Sequence, residues 1–217
     1  MLSLVLITSL VKQLGFLLLY LFGFTSLSEK LAPPAVAMFL NEYFSYFFHC
    51  ANAFNGIVDK FIGDCAMIVF GTPKNDPNHR FNAVACAVTI QQLVLKLNQE
   101  RKQKGLFPVS VRIGLNDGTM LAGFLGAKER MEYTVIGDAV NIASRLCDKA
   151  KAGQIMIPAS IYDHSSVNSR IICQHHGSLS VKGKSESIDT YRVKNLRPKY
   201  QGAAKKLLYK MLKGLAN

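Results

Sequence analysis

The segment Glu132-Tyr-Thr-Val-Ile-Gly-Asp-Ala-Val-Asn-Ile-Ala-Ser-Arg-Leu146 combines a short β-type run with the start of an amphipathic helix. The residues from Tyr133 on favour a strand, and Asp138 is predicted to cap the helix that follows. Asn141 and Arg145 are four residues apart and therefore share one helix face, while the other face is apolar. An amide and a guanidinium on a firm helix suit ribose and phosphate oxygens, although a solvated helix face has the same pattern.

The segment Val58-Asp-Lys-Phe-Ile-Gly-Asp-Cys-Ala-Met-Ile-Val-Phe-Gly71 predicts two short apolar strands joined by a tight hairpin. Asp64 is at the tip of this hairpin, where a carboxylate can meet a cation. Lys60 lies on the strand that leads into the tip. The segment therefore offers one acidic and one basic group close to a turn.

Helix signals precede and follow this hairpin. Ser26 and Glu29 have the spacing of a capping box, and Pro33-Pro34 suits the start of a second helix. A further helix is predicted over residues 79–104. The second helix carries an apolar stripe that we expect to face the core and to have no catalytic role: Val36, Phe39, Leu40, Tyr43, Phe44 and Phe47.

A second hairpin is predicted in the middle of the chain. Val109–Leu115 and Thr119–Phe124 are β-type runs on either side of Asn116-Asp-Gly118, a sequence typical of tight turns. A strand at Gln154–Ile157 and a terminal hairpin ending near Val193 complete the pattern. No internal repeat or linker divides the chain.

The composition indicates one globular domain. The chain has 217 residues, 49% of them hydrophobic and 18% charged, which is enough to bury a core. Five cysteines without CxxC spacing indicate reduced thiols and show no metal site. The net charge of +12 suits a polyphosphate substrate, and without a nucleic-acid-binding motif we expect no nucleic-acid partner.

Five blocks of sequence, in the same order, resemble the catalytic domain of class III nucleotidyl cyclases, especially the bacterial adenylate cyclases. The resemblance runs from about Gly23 to Val193. Besides the two segments quoted first, the blocks are Gly23-Phe-Thr-Ser-Leu-Ser-Glu29, Val111-Arg-Ile-Gly-Leu-Asn-Asp-Gly118 and Val181-Lys-Gly-Lys184. The resemblance implies an α+β fold with a ferredoxin-like βαββαβ core and additional strands and helices.

This resemblance also implies the domain limits and the reaction. The cyclase-like domain is expected over residues 14–196, between an apolar segment, 1–13, and a basic amphipathic tail, 197–217. Such a domain converts ATP to 3′,5′-cyclic AMP and pyrophosphate for intracellular signalling. Two ions, Mg²⁺ or Mn²⁺, would assist the attack of the ribose 3′ oxygen on the α-phosphate.

Site residues are implied by the same resemblance. Lys60 and Thr134 would read the adenine base, with the lysine donating to N1 and the threonine accepting from the amino group. Asn141 would orient the ribose, and Arg145 would stabilise charge on the α-phosphate. Asp64 would bind metal, and the phosphates would be contacted by Phe24, Thr25, Arg112 and Lys182, with Lys184 as a second candidate for the last position.

Tyr20 departs from the family pattern. It occupies the position of the second metal-binding aspartate, three residues before Gly23. A phenol with a pKa near 10 is neutral and bulky, so it cannot reproduce a bridging carboxylate. We expect turnover reduced by several orders of magnitude, and the alternative function is a catalytically silent nucleotide-binding or regulatory partner of another cyclase chain. The abrupt loss of the pattern before Gly23 suggests a truncated or mis-framed start.

The apolar residues 1–24 allow either a membrane helix or a buried strand. A spanning helix needs about 20 apolar residues, and Lys12 near the centre costs about 2.5–3.5 kcal/mol on insertion scales. A secretory signal fits poorly because no basic residue precedes the apolar run. We expect Gly15–Leu21 to be a central strand, and residues 1–12 remain open.

Members of this family build each active site from two sets of residues, one on each of two chains. This sequence contains both sets, except that Tyr20 replaces one of the metal-binding aspartates. A homodimer with sites shared between chains is therefore implied. The tail carries Leu207, Leu208, Met211, Leu212 and Leu215 at helical spacing with lysines between them. We expect a domain on the cytosolic side with weak, salt-sensitive membrane association at most.

Overall fold

The computed structural model describes residues 10–180 and 187–215. Its strands are β1 (Leu10–Phe22), β2 (Gly56–Ile62), β3 (Cys65–Phe70), β4 (Ser110–Ala127), β5 (Arg130–Ile136), β6 (Ile155–Pro158), β7 (Ile171–Leu179) and β8 (Ile188–Leu196). Its helices are α1 (Phe24–Ser28), α2 (Pro33–Ala53), α3 (His79–Gln103), α4 (Asp138–Lys149), α5 (Ala159–Tyr162), α6 (Ser165–Asn168) and α7 (Gly202–Leu215).

All eight strands form one sheet in the order β2-β3-β1-β4-β6-β8-β7, with β5 paired to the far part of β4. The pairs are antiparallel except β4 with β6, which is parallel. Strand β1 is central and pairs with β4 over its whole length, from Leu10 opposite Ala122 to Phe22 opposite Ser110. This mixed sheet covered by helices confirms the expected α+β fold.

Strand β1 buries side chains on both of its faces. Leu17, Leu19 and Leu21 pack against α2 and α3, and alternate residues from Leu14 to Leu18 pack toward α4, all at most 5% exposed. A strand buried on both faces reads as a continuous apolar run, which explains its resemblance to a membrane helix in sequence. The predicted central strand is confirmed, and residues 1–9 lie outside the described part.

Strand β4 contradicts the predicted hairpin at Asn116-Asp-Gly118. The strand continues through these residues because β1 supplies a hydrogen-bonding partner opposite each of them. The Asn116 side chain is 4% exposed and its Nδ2 donates to the Ala139 carbonyl of α4 at 3.1 Å. The Asp117 carboxylate pairs with Arg80 of α3. These polar residues tie helices to the sheet and form no turn.

Two helix starts also differ from expectation. Helix α1 begins at Phe24 after Gly23, whose φ of 83° is left-handed, so Ser26 lies inside the helix and the predicted capping box is wrong. Helix α4 is preceded by Gly137, and Asp138 is its first residue, so the predicted Asp138 cap is also wrong. Helix α2 begins at Pro33 as predicted.

Helix α7 packs against the domain with its apolar face. Ala204 and Leu208 are 1% and 4% exposed, and Leu207, Met211 and Leu212 pack against the same core. Leu207, Leu208, Met211 and Leu212 of the tail's apolar stripe are therefore in contact with the core of the same chain. Within the described ranges, no helix combines the length and apolar character that crossing a bilayer requires.

Candidate functional site

Asp59 contacts both Lys60 and Thr134, the two residues that the resemblance assigns to the adenine base. Thr134 Oγ1 on β5 donates a hydrogen bond to Asp59 Oδ2 at 2.9 Å, across 75 positions in the chain. Lys60 Nζ on β2 lies 3.6 Å from the same Asp59 oxygen and 3.5 Å from Glu132 Oε2. We refer to Asp59, Lys60, Glu132 and Thr134 as the Asp59 cluster.

A β-bulge explains how Asp59 reaches this position. Val58 pairs with Ile68 and Lys60 pairs with Met67, so Asp59 is an extra residue without a partner on β3. Bulges redirect side chains, and here the carboxylate becomes 3% exposed, compared with 29% for the Lys60 side chain. Burial raises the pKa of Asp59, and the Thr134 hydrogen bond and the Lys60 charge oppose this effect.

A second group of residues lies where β1 pairs with β3 and β4, next to the hairpin tip, and we refer to Tyr20, Asp64, Arg112 and Asp148 as the Arg112 cluster. Tyr20 on β1 is opposite Arg112 on β4, with the guanidinium carbon 5.1 Å from the centre of the ring. Arg112 Nη2 lies 3.3 Å from Asp148 Oδ1 at the end of α4. Tyr20 is also opposite Cys65, next to Asp64, and the Leu21 N–H donates to the Asp64 carbonyl at 3.2 Å.

The Arg112 cluster does not fit a pair of metal ions. Burial, followed by the interaction with Cys65, raises the pKa of Tyr20 to about 12, so the phenol is neutral near pH 7. Arg112, whose guanidinium lies against this ring, is a cation and supplies no metal ligand. No group of three or more His, Cys, Asp or Glu side chains that could hold a metal exists in residues 10–180 and 187–215. Asp64 alone offers a carboxylate at the hairpin tip.

The other predicted residues that the structure describes lie on two helices. Phe24 and Thr25 open α1, where the first backbone N–H groups of a helix have no partner within it. Phe24 stacks on Phe39 with the ring centres 6.2 Å apart, which anchors that turn to the core. Lys182 and Lys184 lie outside the described residues.

Helix α4 carries Asn141 and Arg145 away from its buried side. Asn141 is exposed and Arg145 is half-buried. The opposite face contacts the sheet through five buried residues: Ala139, Ile142, Ala143, Leu146 and Cys147. Gly114 on β4 lies directly under this helix, and a Cβ there would overlap the Ala143 and Cys147 backbone. Because α4 and β4 are in backbone contact at Gly114, the distance between the sheet and the helix face that carries Asn141 and Arg145 is fixed.

Sequence reasoning missed Asp59, Glu132 and Asp148. A signal for Asp59 existed, because Asp59 and Lys60 are two charged neighbours within an apolar strand and therefore break its period of two. Such an interruption is typical of a bulge. Glu132 and Asp148 are surface acids in the sequence, and only the tertiary contacts distinguish them from other solvated residues.

Comparisons with known proteins identify relatives over most of the chain. The family model described as "Adenylate and Guanylate cyclase catalytic domain" matches residues 10–195. Adenylate cyclase 1 of Rhizobium meliloti is 32% identical over 173 residues, which cover 80% of this chain and 26% of the relative. The adenylate cyclase of Anabaena cylindrica is 36% identical over 182 residues, which cover 79% of this chain and 35% of the relative.

Among solved structures, the adenylyl cyclase CyaB from P. aeruginosa superposes with a TM-score of 0.82 at 34% identity, covering 88% of this chain and 97% of that one. The chain spans about a quarter to a third of the length of the first two curated relatives. The guanylate cyclase domain from Catenaria anguillulae, solved with GTP, has a TM-score of 0.76 at 26% identity and covers 86% of this chain and 98% of its own.

Proposed function

Because the chain belongs to the adenylate and guanylate cyclase catalytic domain family, we propose that it is a domain of the adenylate cyclase type. It would convert ATP to 3′,5′-cyclic AMP and pyrophosphate for intracellular signalling. Family membership alone does not choose the base, since solved cyclases that use GTP share the fold. The proposal that the substrate is ATP and not GTP is supported by the hydrogen-bonding groups of the Asp59 cluster.

The Asp59 cluster presents groups that complement adenine. The Lys60 ammonium is a donor, as the N1 acceptor of adenine requires, and the Thr134 hydroxyl can accept from the exocyclic amino group. Guanine reverses this pattern, with a carbonyl in place of the amino group. The 2.9 Å and 3.6 Å contacts to one Asp59 oxygen hold both groups near one point of a single chain.

The other residues have proposed tasks around the ribose and the phosphates. Arg112 and the first turn of α1 would bind phosphate oxygens, as guanidinium groups and helix N-termini do. Asn141 would orient the ribose, and Arg145 would neutralise charge on the α-phosphate as the bond to pyrophosphate breaks. Lys182 would assist at the terminal phosphate.

The metal requirement is where this chain departs from its relatives. Class III cyclase domains generally use divalent metal ions. We propose Mg²⁺ or Mn²⁺ here also, with Asp64 as a ligand, but the neutral Tyr20 leaves the ligand set for two ions incomplete. We therefore expect the chain as it stands to bind ATP and to turn it over slowly.

A second function is favoured by the same observation at Tyr20. The chain would then be a catalytically silent partner that binds nucleotide or completes the site of another cyclase chain. The Asp59 cluster, Asn141 and Arg145 are all compatible with such a role, because they do not depend on Tyr20. The two functions differ in whether this chain can acquire turnover of its own when a carboxylate is restored.

The deciding experiment is cyclic AMP formation from ATP and Mn²⁺ by the wild-type chain and by Tyr20→Asp. We expect Tyr20→Asp to raise the rate at least about tenfold, because metal catalysis contributes several kcal/mol and 1.36 kcal/mol is a factor of ten. Tyr20→Asn is the matched control, since it has the shape of Asp without its charge and should remain slow.

An increase in Tyr20→Asn equal to that in Tyr20→Asp would mean that the gain comes from removing a bulky ring. No increase in either variant, with both folded, would contradict the assignment of position 20. If neither the wild-type chain nor Tyr20→Asp forms cyclic AMP alone, but the wild-type chain stimulates an active cyclase chain on mixing, the silent-partner function is favoured.

We propose ATP and a second copy of this chain as partners, and no nucleic acid. A cytosolic setting follows from the proposed substrate. The packing of Leu207, Leu208, Met211 and Leu212 against the core argues against their insertion into a membrane, so any attachment by this tail would depend on its lysines. Flotation with anionic vesicles at low and high salt would test this, and binding that persists at high salt would contradict it.

A further inference from the structure

We propose that Asp59 is a positioning residue that determines base specificity. Its carboxylate accepts the hydrogen of the Thr134 hydroxyl, so that this hydroxyl offers the base only its lone pairs. The inference rests on the proposed function, in which Lys60 and Thr134 contact the base. Asp59 itself need not touch the nucleotide. It would act through Thr134, by deciding which atoms of that hydroxyl remain available to the base.

The argument begins with the hydrogen-bonding capacity of threonine. A hydroxyl has one hydrogen to donate and two lone pairs that accept, and it normally rotates to suit its partner. A free threonine would therefore accept from the adenine amino group or donate to the guanine carbonyl with little discrimination. An ionised carboxylate can only accept. With Asp59 Oδ2 at 2.9 Å, the Thr134 hydrogen is used and only its lone pairs remain.

The consequence is a difference between the two purines. The adenine amino group donates to the remaining lone pairs of Thr134. The guanine carbonyl would oppose them with a second acceptor, and neither atom would then have a hydrogen to share. A buried polar group left without its partner is costly, so we expect at least about a tenfold preference for adenine from this contact.

The placement of Asp59 indicates a specific role. Its carboxylate is 3% exposed at a bulge in β2, and burying an acid is unfavourable without compensation. It accepts a hydrogen bond from Thr134 and forms an ion pair with Lys60, which are the two residues assigned to the base. Lys60 is in turn held between Asp59 and Glu132, at 3.6 Å and 3.5 Å, with three hydrogens on its ammonium group.

The test measures binding of non-hydrolysable ATP and GTP analogues to the full chain, so that it does not depend on turnover. Asp59→Ala removes the acceptor, and we expect the ratio of the two dissociation constants to move about tenfold toward GTP. Asp59→Asn keeps an acceptor oxygen and should retain most of the preference. Inorganic tripolyphosphate, which has no base, should bind both variants as it binds the wild type.

A double-mutant cycle separates action through Thr134 from a general structural effect. In the Thr134→Val background, which has no hydroxyl, Asp59→Ala should leave the ratio of the two constants unchanged. A change of the same size with and without the hydroxyl would overturn the inference. So would equal weakening of ATP, GTP and tripolyphosphate binding by Asp59→Ala.

Failure of the inference and failure of the proposed function give different results. If Lys60→Ala lowers the adenine preference and Asp59→Ala does not, the inference is overturned while the proposed function stands. If the wild-type chain binds neither analogue, or binds both equally, the proposed function fails and the inference fails with it.

Discussion

Tyr20 and Arg112 contact each other across β1 and β4, in the part of the sheet where a metal-binding carboxylate is expected. The guanidinium lies 5.1 Å from the ring centre, a distance typical of a cation–π contact. Burial raises the pKa of Tyr20 to about 12, so the ring is uncharged throughout the physiological range. A neutral ring therefore lies where the resemblance implies a negative charge that would attract a metal ion.

The Asp59 cluster allows a prediction about exchanging the base preference. Lys60→Glu with Thr134→Cys reverses the donor and acceptor groups, but it also brings a third acid beside Asp59 and Glu132. We therefore expect the exchange to require Glu132→Arg as well, because a carboxylate in place of the Lys60 ammonium, which now lies 3.5–3.6 Å from these two acids, would be repelled by them. The triple variant, made in an Asp59→Ala background so that no carboxylate takes the thiol hydrogen, should favour the GTP analogue over the ATP analogue by at least about tenfold.

The control for this exchange is the double variant that keeps Glu132. It should bind both analogues weakly, since the new carboxylate has no cation to orient it. Competition between the two analogues for the same fluorescent nucleotide measures the preference directly. A triple variant that folds and still prefers ATP to the same degree would remove Lys60 and Thr134 from the base pocket.

At the scale of elements, α4 and β4 depend on one another through Gly114. A methyl group at this position would overlap the backbone of Ala143 and Cys147, which cannot move aside as a flexible side chain could. We expect Gly114→Ala to destabilise the fold by about 2 kcal/mol or more, as overpacking does. Because α4 carries Asn141 and Arg145, nucleotide binding should weaken as well.

Gly214→Ala in the exposed last turn of α7 is the matched control. A Cβ there has no atom within 4 Å, so the same chemical change should be neutral or stabilise the helix by about 1 kcal/mol or less. Denaturant unfolding of both variants measures the difference. Equal stability of Gly114→Ala and wild type would mean that α4 lies farther from the sheet than described.

At the scale of the whole molecule, the Asp59 cluster and the Arg112 cluster are separate centres on one sheet, and α4 contacts the Arg112 cluster through Asp148. If each active site is completed by a second chain, two defective variants can repair one another. On the Tyr20→Asp background, Arg145→Ala and Asp64→Ala should each be inactive. Their equimolar mixture should recover on the order of a quarter of the parent rate, because half of the dimers have one intact site out of two.

The mixing experiment requires that both variants fold and dimerise, which sedimentation of each variant alone would establish. Mixing either variant with more of itself is the negative control. Two folded, dimer-forming variants that fail to complement would indicate sites completed within one chain, in conflict with the proposed homodimer.

Local patterns predicted much of the architecture. The β2–β3 hairpin, the long helices α2 and α3, and the strand before Gly23 were all expected, because apolar periodicity and turn residues act over a few positions. The Asn116-Asp-Gly118 segment was predicted wrongly for a physical reason. Its turn propensity is weak compared with the continuous hydrogen bonding that β1 provides, and β1 is about a hundred positions away in sequence.

The amino-acid sequence by itself determined the family resemblance, the helical spacing of Asn141 and Arg145, and the presence of a phenol at position 20, where the resemblance implies a carboxylate. These depend on residue identity and on short-range spacing, which are readable without a fold. Only the tertiary structure decided that Asp59 joins Lys60 to Thr134 and that Arg112 contacts Tyr20 and Asp148. A bulge and strand pairing bring those groups together, and such contacts arise from the packing of distant segments.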